Sequence, residues 1–299
     1  MMVQYDGGIQ AFSECARKDR KMNWYAIADC AQHPALPDAL ISHNERMRCL
    51  FNSASGSPVA KFSPCLIELS MPTEDGAKAW DWIRRNARAK PCISILASKE
   101  NFNEVFSSLA TCIDVILPDG ENMYLAFWDP AILGTIMGQE SDLTLHVKGP
   151  ALQPYQRASI CAHISHWWYW DRSGVMHSVA VEQYAALCGR SPFAPIHLDQ
   201  TQVDMLVEAS LPDQIISYLQ DNLPLLIGDG TPVLNYEKVR NALLKARELN
   251  LTTMSELVNF ISLQLNYGED FENNPDIRQL LDQVRGGKLN FYAAMHNFP

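Results

Sequence analysis

The chain has 299 residues, enough for one large core or two smaller ones, and its 34 acidic against 24 basic side chains leave a formal charge of −10. That balance argues against a phosphate-backbone partner, because nucleic-acid binders carry a basic footprint. No run approaches the roughly 20 apolar residues of a membrane span, and the polar residues 1–22, with Arg17, Lys18, Asp19, Arg20 and Lys21 close together, lack the apolar stretch of a secretory signal. The expectation is a cytoplasmic protein with no nucleic acid and no membrane among its partners.

Residues 1–22 are expected as an N-terminal extension. From Trp24 the pattern alternates between strand and helix, starting with a strand over Trp24 to Cys30 and a helix from about Pro34 to Ser42. Arg48 to Phe51 predicts a short strand, 52–58 a Ser- and Gly-rich loop, and Cys65 to Leu69 the next strand. Over 74–89, Ala77, Trp80, Ile83 and Ala87 share one helical face until Pro91 stops the run. Cys92 to Leu96 predicts a strand and 100–110 an amphipathic helix through Phe102, Val105, Phe106 and Leu109.

Two hairpins follow. Ile113 to Leu117 leads through Pro118-Asp119-Gly120 into 123–128, and Arg157 to Trp170 pairs with Val175 to Val181 across Asp171-Arg172-Ser173-Gly174. Between them, Tyr124 to Leu133 reads as a buried strand turning into a helix: Asp129 caps the first turn and Pro130 takes the first helical position, where no amide hydrogen is missed. Ser191 to Pro195 has the composition of a linker. Beyond it the period becomes helical. One face starts at Val203, Leu206 and Val207, another follows Pro212 with Ile215, Ile216 and Leu219, and a third holds Val239, Leu243, Ala246 and Leu249. Thr253 and Glu256 form a capping box before a helix that Gly268 ends, and Asn274-Pro275 starts one that Gly286-Gly287 stops. The fold class expected is α/β with α+β character: a mixed β-sheet with flanking helices in an N-terminal lobe over 23–190, then a smaller all-helical lobe over 196–299.

The search for chemistry finds little. Cysteines at 15, 30, 49, 65, 92, 112, 161 and 188 have no close pair in sequence, which speaks against zinc and redox motifs and for buried reduced thiols. His163 and His166 lie on an extended segment that sends them to opposite faces, so no metal ligand set is expected there, although Asp171 is near in sequence. Gly228-Asp229-Gly230-Thr231-Pro232 lacks the Lys of a phosphate loop and reads as a turn. Ser53, Ser55 and Ser57 show no nucleophile-elbow pattern. Arg84, Arg85, Arg88 and Lys90 sit where cations complement a helix C-terminus. Asp29 and Asp129 both close strands and would serve a metal-dependent hydrolase if they converged; otherwise Asp129 caps its helix and Asp29 orders a turn. Four consecutive rings, Trp167-Trp168-Tyr169-Trp170, cannot all face one side of a strand. Either some point outward, making Trp167, Trp168 and Trp170 partner-binding candidates, or they pack inside.

The segments Trp24-Tyr25-Ala26-Ile27-Ala28-Asp29-Cys30-Ala31, Cys49-Leu50-Phe51, Phe62-Ser63-Pro64-Cys65-Leu66-Ile67-Glu68-Leu69 and Phe127-Trp128-Asp129-Pro130-Ala131-Ile132-Leu133, with Asp119-Gly120, together resemble the adaptor or chaperone family of bacterial type VI secretion, whose core is catalogued as a domain of unknown function. The tail, with Gly268-Glu269-Asp270-Phe271 and then Pro275, is also similar. The family often carries arginines where this chain has Ala126 and Ala131, so a contact made by them would be missing here. The resemblance implies a cytoplasmic protein, not an enzyme, without catalytic, cofactor or metal residues. Its implied partners are a secreted toxin effector and the spike protein of the type VI apparatus, the valine-glycine repeat protein, onto which the effector is loaded. A hydrolase using Asp29 and Asp129, or an immunity protein that blocks a toxin, are the alternatives.

Overall fold

The computed structural model of the chain describes residues 7–33, 35–41, 46–51, 62–72, 78–184, 187, 195–228, 230–268 and 270–298. The expected loop over 52–58 with its three serines, linker residues 191–194, and Ala77, Cys188, Asp229 and Glu269 lie outside these residues. Two compact units are formed, Met1–Ala209 and Ser210–Pro299.

The first unit contains α1 (Gly7–Lys18), β1 (Asn23–Ala28), α2 (Leu36–Leu40), β2 (Met47–Cys49), β3 (Cys65–Leu69), α3 (Lys78–Asn86), β4 (Ile93–Ser98), α4 (Phe102–Thr111), β5 (Asp114–Ile116), β6 (Asn122–Tyr124), α5 (Pro130–Met137), α6 (Pro154–Ile160), β7 (His166–Trp170), β8 (Met176–Val179), β9 (Ile196–His197) and the start of α7 (Gln200–Asn222). The main sheet has the order β2-β3-β1-β4-β7-β8, antiparallel throughout. A small sheet has the order β6-β5-β9, with β5 and β9 parallel.

Antiparallel sheets commonly leave one face in water, and their strands then alternate apolar and polar. Here helices cover both faces, so the strands are apolar on both sides. Trp24, Ala26, Ile67, Ile95, Ala97, Trp168 and Trp170 face one core with α1, α2 and α3. Tyr25, Ile27, Leu66, Leu96, Trp167 and Tyr169 face the other, with α4, α5 and α6. Of the two arrangements that the sequence leaves open for the rings on β7, internal packing is the one found: helices lie over both faces of the strand, and all four rings are buried.

The first 22 residues, expected as an extension, contain α1, whose Phe12 and Ala16 are fully buried one helical turn apart. Phe12 sits against Trp24, Trp80, Trp168 and Trp170 with ring centroids 5.1 to 6.1 Å apart. Trp24 and Trp168 stack 5.8 Å apart at 7°. One ring in a polar stretch is a weak periodic signal, so the sequence hides a helix that packing requires. Further boundaries differ: β6 stops at Tyr124, short of the strand expected through Trp128, and β9 falls at the start of the stretch expected to be all-helical. Arg157 to Ile160 belongs to α6, which Pro154 starts in its first turn, and α7 continues through Pro212. An interior proline costs a helix hydrogen bond; Leu206 and Ala209 before it are buried in the core of the first unit, and Ile215 and Leu219 after it in the core of the second.

The second unit holds the rest of α7 with α8 (Pro224–Ile227), α9 (Pro232–Glu248), α10 (Met254–Tyr267), α11 (Pro275–Arg285) and α12 (Phe291–Met295). Its core includes Ile215, Leu219, Val239, Leu243, Phe260, Ile261, Phe271 and Phe291. Helix starts follow the expected caps: Thr253 and Glu256 form the box before α10, and Asn274 accepts from the Asp276 amide ahead of α11. Gly228 ends α8 and Thr231 caps α9, so the glycine pair there makes a turn between helices.

Phe12→Ala should destabilise the chain by about 3–5 kcal/mol, the range for deleting a packed aromatic ring. The check is the shift in denaturant midpoint of the full chain; a loss below about 1 kcal/mol would mean that α1 contributes no core.

Candidate functional site

The densest polar constellation among the described residues lies where the β7–β8 hairpin meets the loop after α5. Asp171 directly follows β7, and its Oδ1 accepts from the Ser173 amide at 2.8 Å, the Ser173 hydroxyl at 2.7 Å and the Val175 amide at 2.9 Å. These bonds shape the turn, and Gly174 at φ +79° supplies its left-handed residue. The other oxygen, Oδ2, faces His177 Nε2 at 2.9 Å, and His177 Nδ1 lies 3.1 Å from the Ser141 hydroxyl. Asp142 accepts from the Thr144 amide and hydroxyl on Oδ1, and from the Tyr169 hydroxyl on Oδ2 at 3.0 Å. Asp142, Asp171, Arg172 and His177 are all buried.

Burial alone would raise the Asp171 carboxyl. The bonds from His177, Ser173 and the Val175 amide outweigh it and hold the group below its ordinary 3.8. Burial and the neighbouring Asp142 push the Tyr169 hydroxyl far above its usual range, so it stays a donor. An ionised Asp171 can only accept, which puts a proton on His177 Nε2 and leaves Nδ1 able to accept from Ser141 in the neutral ring.

Ser141, His177 and Asp171 thus stand in the order nucleophile, base, orienting acid. The exposed Ser141 oxygen also accepts from Gln139 Nε2 at 2.8 Å, which engages one of its two lone pairs. Ligand atoms of Asp142, Asp171 and His177 lie within 4.8 Å of one another, a spacing that suits a cation. Yet the Tyr169 and His177 protons already occupy the oxygens that face inward. A cation would have to displace both, so the donor set fits a closed hydrogen-bond network better than a metal centre. Its effect is to tie the edge hairpin to the loop after α5. Helix α5 comes close enough for this because Gly134 has no side chain: a Cβ there would lie 2.6 Å from the Tyr169 hydroxyl and 3.0 Å from Leu145.

The sequence candidates fall elsewhere. Trp167 faces the core under α4 to α6, while Trp168 and Trp170 face the core under α1 to α3. At 0, 5 and 1% exposure, their indoles brace the sheet and present no open face. Asp29 accepts from the Ala31 and Gln32 amides and so orders the turn after β1. Asp129 accepts from the Ala131 amide at 2.8 Å as the cap of α5. His163 is exposed at φ 65°, and His166 stacks on Trp168. Arg84 pairs with Asp81 one turn back within α3, while Arg88 donates to the Gly174 carbonyl and Lys90 to that of Gln32, so the last two tie loops together. Ser141, Asp142 and His177 escape sequence reasoning because they meet only through the fold; the one local hint is the Asp-Arg-Ser-Gly turn.

Residues 24–146 match the family model described as Domain of unknown function (DUF4123). The match runs from β1 through α5 to the loop carrying Ser141 and Asp142, and ends before β7. Neither the curated proteins nor the solved structures include a match to the chain.

Two outcomes check this geometry. Gly134→Ala should cost about 1–3 kcal/mol by overpacking against Tyr169 and Leu145, read from the thermal or denaturant midpoint. The stabilisation from Asp171 is complete above its ordinary value of 3.8 and is lost as pH falls through its lower folded value. The stability gap between the native chain and Asp171→Asn should therefore narrow below about pH 4; a gap independent of pH would contradict the network.

Proposed function

We propose that this chain is a non-enzymatic adaptor that binds a type VI secretion effector in the cytoplasm and helps load it onto the spike protein. The match of residues 24–146 to a family associated with effector-loading adaptors carries the reading. The local roles of the acidic residues support it: Asp29 and Asp129 each give an oxygen to backbone amides of their own turn or helix, and the Asp171 network is closed by internal donors. No helix of the described residues is long and apolar enough to cross a membrane, which agrees with an adaptor that meets its partners in solution.

In this reading the buried Trp167, Trp168 and Trp170 set the shape of the partner-binding unit without touching the partner. They fix β7, and the surface that recognises the effector lies on what β7 supports.

Co-expression of the full chain with a candidate effector and a spike protein tests the proposal. The expected result is a soluble pair with the effector and a further complex that includes the spike. An immunity protein would instead bind the toxin's active domain, abolish its activity and leave the spike uncomplexed. Failure of the chain to associate with either the effector or the spike at micromolar concentration would sink the adaptor reading for those partners.

A further inference from the structure

Three cysteines that are far apart in sequence meet at one end of the main sheet. Cys49 and Cys65 are directly opposed on β2 and β3, with their sulfurs 3.4 Å apart. The ladder fixes what kind of pair they form. Leu50 donates to the Pro64 carbonyl and Glu68 to the Arg46 carbonyl, so bonded pairs fall at 46 with 68 and 50 with 64, and Cys49–Cys65 sits between them as a non-hydrogen-bonded pair. Opposed Cα atoms at such positions approach to about 4.5 Å, inside the range that a disulfide spans. Both side chains lie on the face that carries the core under α1 to α3. Cys65 is fully buried, whereas Cys49, on the edge strand, is partly exposed. Cys30, in the turn after β1, is the third thiol beside Cys65, whose own Sγ donates to the Ser63 carbonyl at 3.5 Å.

We propose that Cys49 and Cys65 are an oxidation site: a dithiol that a low-molecular-weight disulfide, such as oxidised glutathione, converts to a disulfide fastening β2 to β3. The Cys49 thiolate, the accessible sulfur, attacks one sulfur of the small disulfide; that S–S bond breaks and one small thiolate leaves. Cys65 then gives up its proton and attacks the Cys49 sulfur, and the second small thiol departs. Two protein thiols are oxidised and one small disulfide is reduced to two thiols, so electrons and protons balance. The order of events follows from placement. The neighbouring Cys30 thiol, burial and the Cys49 thiol push the Cys65 thiol up, which suits it to second attack on an activated partner rather than first attack on a reagent. Cys92 and Cys112, whose thiols burial pushes up to about 11, lie in the protein interior. None of the seven described cysteines is in a disulfide, and the test below starts from the reduced chain.

The test uses the full chain, folded, in glutathione buffers of rising oxidised fraction, followed by alkylation of remaining thiols and tryptic mapping. Cleavage after Arg48, Lys61 and Lys78 separates the two sulfurs onto peptides 49–61 and 62–78. The expected result is a linked pair of these peptides, formed before any other link, with loss of two of the eight thiols. Cys65→Ser should stop at a glutathione adduct on Cys49, Cys49→Ser should leave Cys65 unmodified under the same conditions, and Cys30→Ser should still form the 49–65 link. A first link between any other pair overturns the proposal. So does a chain that keeps both thiols at a ratio that oxidises it once unfolded.

Discussion

A six-stranded antiparallel sheet buried on both faces is the constraint on which the N-terminal unit depends. Strand β7 imposes it most strongly, since Trp167 and Tyr169 enter one core while Trp168 and Trp170 enter the other. Each ring removes on the order of 150–250 Å² from water, so neither face of β7 tolerates solvent. Two helical layers are then obligatory. Helices α1, α2 and α3 close one side around Phe12 and Trp80, and α4, α5 and α6 close the other around Phe106, Leu133 and Ile160. The near-continuous apolar runs of β1, β3 and β4 follow from the same cause, and they resemble parallel strands in composition while pairing antiparallel.

A sheet built this way must still manage its edge. The β7–β8 hairpin does so with a buried polar network, in which Tyr169 belongs to both worlds: its ring packs in the core and its hydroxyl donates to Asp142. The row Leu66, Ile27, Ser94, Tyr169 and His177 crosses the sheet in register, so His177 extends the core row to the edge, where Asp171 and Ser141 receive it. Satisfied networks of this kind specify one arrangement because any shift leaves a buried polar group unpaired.

What the sequence made legible was local. Asp129-Pro130, Thr253 with Glu256 and Asn274-Pro275 announce helix starts because a cap and its amides lie within three residues. Cys65 to Leu69 and the turn at Asp171 to Gly174 were equally plain. The rest depends on contacts between distant segments. Helix α1 rests mainly on the single ring of Phe12, and its value appears only when Trp24, Trp80, Trp168 and Trp170 surround it. The fate of the four rings on β7 turned on whether a second layer existed, which alternation on one strand does not encode. Ser141 and His177 are 36 positions apart and Cys49 and Cys65 are 16 apart, beyond any spacing motif.

If β7 joins the two cores, the helical layers on opposite faces cannot open independently. Native-state hydrogen exchange resolves this directly. The account predicts that the amides of β1, β4 and β7 exchange only through global unfolding, and that the most protected amides of α3 and of α4 share that same opening free energy. A layer of α1, α2 and α3 that opens at a much lower free energy, with β7 still protected, would contradict it.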